Sequence, residues 1–234
     1  MLWGWFDPTY FLFLAPGILL ALWAQWKVQS AYAEASRIPA RSGYSGAEAA
    51  HALLRTAGVP GVQIEPVQGF LSDHYVPGER VLRLSPEVYA GRSLAALGIA
   101  AHESGHAIQD ATRYPLLVLR NGLVPLASIG SSLGWIIIMV GFLLASLNLV
   151  MIGIVAFSLT VVFQLINLPV EFDASRRARI ALVEGGLITA EEDQVVKKVL
   201  DAAALTYVAA TLTGILTLLY FLFRAGMLGG SREE

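Results

Sequence analysis

Four stretches of the chain lack the alternation of polar and apolar positions expected of a water-facing element and run apolar without charge. Tyr10–Trp26 (YFLFLAPGILLALWAQW) is the first, at about the minimum length for a helix that crosses a bilayer. Asn121–Val170 contains no Asp, Glu, Lys or Arg, enough for two spans of about 20 residues each. Its natural break is Ala145–Met151 (ASLNLVM), where Asn148 is the most polar residue. Ala202–Phe223 is the last such run. The expected spans are about 10–26, 123–145, 149–168 and 203–223.

Between the spans the pattern turns local. Ser36–Gly46 reads as a loop, and Ser45-Gly46-Ala47-Glu48 has the form of a capping box opening a short helix that ends at Gly58. Gly61–Val67 (GVQIEPV) and Glu79–Ser85 (ERVLRLS) are short strand candidates, separated by LSDHYVPG with its Pro-Gly turn. Ser85-Pro86 suits an N-cap and first helical position, and Ser93 caps a longer helix through Thr112. Glu171–Gly186 predicts a helix stopped by Gly185-Gly186. Thr189-Ala190-Glu191-Glu192 is a second capping box, opening a helix that runs on into the fourth span. The fold class expected is mainly α: a polytopic membrane protein with four transmembrane helices and a small cytoplasmic α+β region. The whole of 1–234 is read as a single membrane-embedded domain.

Composition sharpens this. Of 234 residues 56% are hydrophobic and 15% charged, too apolar for an ordinary soluble domain. A net charge of -2 gives no reason to expect nucleic acid as a partner. There is no cysteine, so disulfides and thiolates are excluded and any metal must be held by nitrogen and oxygen. Fourteen of the 16 Lys and Arg residues lie in 27–120 and 169–201. The positive-inside rule assigns those parts to the cytoplasm and both termini to the outside of the cell membrane. The first span lacks the basic region and cleavage site of a removable signal peptide. Trp3, Trp5, Tyr10, Trp23 and Trp26 flank it as an aromatic belt. Gly130, Gly134 and Gly141 in the second span suit close helix packing. The Arg176-Arg177-Arg179 cluster fits topology and lipid headgroups.

The candidate chemistry lies in AHESGHAIQD, Ala101–Asp110. On a helix, positions i and i+4 share a face, so His102 and His106 can both offer a ring nitrogen to one ion. Glu103 lies one step round, suited to take a proton from a metal-activated water. A catalytic zinc wants a third protein ligand. His51 and His74 qualify on chemistry alone, but Glu171 is the better candidate. It stands just after the two-span hairpin that His102 and His106 precede, and a carboxylate at a membrane border calls for a partner. The plain alternative pairs Glu171 and Asp173 with Arg176 or Arg177.

AHESGHAIQD followed by NLPVEFDASRRA resembles the YugP-type family of membrane zinc metallopeptidases, and more distantly HtpX-type proteases. LWAQWKVQSAY, LSDHYVPGERVLRLSPEVY and GRSLAALGIAAHE are similar to that family too. The resemblance implies a Zn2+-dependent endopeptidase in which His102, His106 and Glu171 bind the metal and Glu103 is the catalytic base. Its substrate would be a peptide or membrane protein, and its setting a lipid bilayer. Two positions depart from the pattern: Val76 follows DHY where an acidic residue is usual, and Ser175 stands where HtpX-type proteins have Asp. Asp173 and Ser175 are candidates to orient the histidines. His74, Tyr75, Arg176 and Arg177 are candidates for substrate contact or for the second oxyanion donor. The RVLRLS strand is a candidate edge for an extended peptide. Two rivals are a divalent-metal transporter and an inactive metal-binding scaffold. The charge-free spans argue against the first, and the retained Glu103 against the second.

Overall fold

The computed structural model describes residues 8–227. Trp3 and Trp5 of the expected aromatic belt lie outside the described residues. Four helices are long and apolar enough to cross a membrane: α1 (Pro8–Ala35), α5 (Pro115–Leu143), α6 (Leu147–Glu184) and α7 (Ala190–Arg224). The expected spans 10–26, 149–168 and 203–223 fall inside α1, α6 and α7, and 123–145 overlaps α5, which ends at Leu143. Pro16, Pro125 and Pro169 lie inside α1, α5 and α6. A proline removes one rung of the helical ladder, which long membrane helices tolerate when neighbours re-satisfy the freed carbonyl.

The residues fall into two compact units. Of the described residues, the first comprises 8–23, Leu119–Leu168 and 206–227. Here α5 and α6 turn back on each other through Leu144–Ser146, closed by Ser146 N donating to Gly141 O and by Ala145 at φ 49°. The turn overlaps the start of the break expected at Ala145–Met151, while Asn148 lies inside α6. The two helices approach through small residues. A Cβ on Gly134 would stand 2.8 Å from Phe157 N, one on Gly141 2.6 Å from Val150 N, and one on Gly130 would collide with Ala156 O. Ile138, Ile154, Phe157, Val161, Tyr220 and Phe221 pack together as the core of this unit. Arg120 Nε donates to the buried Asn167 at 3.0 Å, tying α5 to α6 with a polar pair where water is scarce.

The second unit comprises Ala24–Val118 and Pro169–Leu205. It holds α2 (Gly46–Thr56), β1 (Gln63–Pro66), β2 (His74–Val76), β3 (Val81–Leu84), α3 (Pro86–Tyr89) and α4 (Leu94–Ala111). Ser45 and Glu48 form the expected capping box at α2. Ser93 Oγ accepts from Ala96 N to open α4. Thr189 and Glu192 exchange the same pair of bonds at α7. α4 is apolar on two sides. Leu94, Leu97 and Ala101 pack with Leu182, Val196 and Leu200, while Ala100 and Ala107 pack with Leu82, Leu84 and Val88 of the sheet side.

The sheet corrects the expected peptide edge. Its order is β1-β3-β2, with β1 parallel to β3 and β2 antiparallel to it. The RVLRLS strand is therefore central, with both ladders occupied. The segment expected as a loop, His74–Val76, supplies the second neighbour. The free edges belong to β1 and β2. A second difference concerns α6, which runs unbroken through Pro169 where a new helix was expected from Glu171.

Candidate metal centre

His102 and His106 sit one turn apart on α4, their rings edge to face with centroids 4.8 Å apart. The residue between them explains how a second helix comes so close. A Cβ on Gly105 would stand 2.7 Å from Ala174 O, so α6 lies against bare backbone there. One turn before Ala174, Glu171 reaches the pair. Its Oε2 stands 3.3 Å from His102 Nε2 and 3.6 Å from His106 Nε2.

Glu171 is 3% exposed, and its Oε2 is buried without a hydrogen-bond partner. Leaving an ionised oxygen in that state costs several kcal/mol by order of magnitude, so a partner is called for. The donor set answers the question. Three ligand atoms, two nitrogen and one oxygen, lie within 4.8 Å of one another. Ligands about 2.0–2.1 Å from a tetrahedral ion stand about 3.3–3.4 Å apart, near the separations measured from Glu171. The arrangement fits zinc-type coordination with one position left open.

Behind the three donors are groups that hold them. His102 Nδ1 lies 3.1 Å from Ser175 Oγ, and His106 Nδ1 lies 3.0 Å from Gln109 Oε1. Gln109 also donates from Nε2 to Val170 O (2.9 Å) and Asp173 Oδ2 (3.0 Å). Asp173 is bonded in turn by Arg176 and Arg177. Arg177 also stacks over the Tyr114 ring. Of the plain alternative drawn from sequence, the Asp173 half is what the side chains do; the Glu171 half is not.

Glu103 is half-buried next to the histidines on α4. Burial pushes its carboxyl above the usual range, the two imidazoles pull it back, and the Glu171 and Asp73 carboxylates push it up further. At His106, burial opposes the charged ring. The Glu171 and Glu103 carboxylates outweigh that and raise its proton affinity. A carboxylate biased toward holding a proton beside a three-donor cluster is equipped to accept one and return it.

The remaining candidates are placed elsewhere. Tyr75 faces α4 from β2, and its hydroxyl donates to Asp110 Oδ2 at 2.8 Å; burial and that acceptor push its pKa up. Alternation along β2 turns the exposed His74 the other way, its Nδ1 2.7 Å from Ser72 O. His51 is exposed on α2. Neither joins the donor cluster. Gln109 carries no motif that marks it in the sequence. The signal that would have found it is position: 102, 106 and 109 are i, i+4 and i+7 on one helical face.

Comparison with known proteins follows the same lines. The family described as "Putative neutral zinc metallopeptidase" matches residues 10–226. "Putative membrane protease YugP" of Bacillus subtilis (strain 168) is 48% identical over 212 residues, covering 90% of this chain and 94% of the relative. No solved structure matches.

Proposed function

Because the chain belongs to the neutral zinc metallopeptidase family and is a multi-pass membrane protein, we propose that it is a zinc-dependent endopeptidase that cuts peptide bonds at the cytoplasmic membrane face. The observation that carries the reading is the buried, unpartnered Glu171 oxygen facing two imidazole nitrogens. His102, His106 and Glu171 are the ligands, a His-Glu-x-x-His pair completed by a downstream glutamate. The whole of 1–234 works as one membrane-embedded enzyme, with 27–120 and 169–201 in the cytoplasm and both termini outside. The distribution of basic residues supports that orientation.

Zinc held there would supply a Lewis acid that brings the pKa of water down to about 7 and polarises the scissile carbonyl. Glu103 takes the proton of the attacking water and passes it to the leaving amine. Its raised proton affinity suits both halves of that transfer. Ser175 and Gln109 hold the two imidazoles in orientation, and Asp173 acts through Gln109. Of the four candidates for the second oxyanion donor, His74 is turned away from α4, which leaves Tyr75, Arg176 and Arg177. The substrate is a peptide or a membrane protein.

Two variants test the reading on protein purified in detergent. Glu103→Gln keeps its zinc and loses peptide cleavage by about 10²–10⁴-fold. His106→Ala loses stoichiometric zinc. A Glu103→Gln protein that cleaves as well as the parent overturns the assigned base. An equally loaded His106→Ala overturns the site.

A further inference from the structure

Gln109 is fully buried, so no water can complete its bonding. Three neighbours surround its amide. Val170 O is a carbonyl and Asp173 a carboxylate held by two arginines; both are acceptors only. The NH2 group must therefore face them. The opposite rotamer would set oxygen against oxygen at 2.9 and 3.0 Å in a dry interior, leaving both acceptors and the amide unsatisfied. Once the NH2 is committed, Oε1 is what meets His106 Nδ1 at 3.0 Å. An oxygen there requires an N–H on the ring.

We infer that Gln109 is a positioning residue that places the His106 proton on Nδ1 and so turns a bare Nε2 lone pair toward Glu171. The inference rests on the reading of His106 as a ligand. Donation converges on Asp173: the His106 ring N–H donates to the Gln109 oxygen, the Gln109 NH2 donates to Asp173, and Arg176 and Arg177 donate to the same carboxylate from their side. The same amide spans from α4 to the Val170 carbonyl of α6, one residue before Glu171, so it sets the register of the third ligand as well.

His102 is treated differently. Its Nδ1 faces Ser175 Oγ, and a hydroxyl both donates and accepts, so it dictates no tautomer. One ligand of the pair is preset and the other adapts.

The test uses full-length protein in detergent and does not need activity. Metal-free protein with 15N-labelled histidine is measured at a pH where the rings are neutral; only four histidines contribute. The parent should show His106 protonated at Nδ1 and bare at Nε2. Gln109→Met, close in shape and without donor or acceptor, should show a mixture of tautomers. In chelator competition it should bind zinc about 10–100-fold more weakly. A folded Gln109→Met with parental zinc affinity overturns the inference, as does a parent carrying the proton on Nε2. If Gln109→Met does not fold, the parent's tautomer decides alone. A parent with Nδ1–H that binds no zinc fails the metal reading and leaves the Gln109 assignment standing.

Discussion

Gly105 stands between the two histidines because α6 leaves no room for anything larger. The atom that an added methyl would meet is Ala174 O, main chain of a packed helix that cannot rotate aside. Gly105→Ala must move α6 away from α4, and Glu171 rides on α6. The expected cost is about 1–3 kcal/mol of overpacking, with zinc binding weakened in the protein that remains folded. Gly98→Ala is the control. Its methyl would meet Val196 Cγ1 at 3.0 Å, the end of a side chain, so the loss is smaller and zinc binding unchanged. Thermal melting and zinc stoichiometry on the two variants separate these outcomes. Equal zinc loss in both would show that the Gly105 approach has no special place in the site. At this scale the sequence was informative wherever chemistry and spacing coincide. His102 and His106 stand out by their interval, and Glu171 by its carboxylate at the end of an apolar run. Gln109 has no such mark. Its importance comes from burial and from two partners on another helix, Val170 and Asp173 of α6, which spacing along one chain does not reveal.

Among the elements, α7 shows how local chemistry supports the unit that holds the donors. Glu192 is 7% exposed and spends both oxygens on backbone: Oε2 accepts from Thr189 N at 2.8 Å and Oε1 from Arg41 N at 2.9 Å. The first bond closes the capping box; the second ties the loop before α2 to the start of α7. Glu192→Ala leaves both N–H groups without that acceptor and should cost about 1–3 kcal/mol in a denaturant or thermal titration. Thr189→Ala, which removes only the cap hydroxyl, should cost about 1 kcal/mol. A smaller loss for Glu192→Ala than for Thr189→Ala would show that the Arg41 bond contributes nothing. Both capping boxes were legible because they rest on contacts three residues apart. So were the four apolar helices, since length and lack of charge suffice. The sheet was not. β2 is three residues long, too short for a period to register. The parallel pairing of β1 with β3, which puts β3 in the middle, is a long-range choice with no local signature. Nor does Pro169 stop α6, because in a long packed helix one lost rung is outweighed by the turns on either side.

For the molecule as a whole, orientation across the bilayer decides which substrates can reach the donors. α6 has 38 residues and at 1.5 Å each is about 57 Å long, well beyond a hydrocarbon core of about 30 Å. The apolar share is its N-terminal part; Glu171, Asp173 and the three arginines are confined to its C-terminal part. On the proposed reading α6 crosses the bilayer, so the turn before it and the turn after it lie on opposite sides, with the second in the cytoplasm. The chain has no cysteine, so single cysteines can report this without a background. Leu144, exposed in the turn between α5 and α6, and Glu184, exposed at the end of α6, are the natural positions. In intact cells a membrane-impermeant maleimide should label Leu144→Cys and spare Glu184→Cys until the membrane is opened. The reverse pattern would turn the donor cluster outward and, on the proposed function, point to secreted or surface chains as substrates. Labelling of both in intact cells would mean that α6 does not cross, and the hairpin argument that returns Glu171 to the histidines' side would lose its basis.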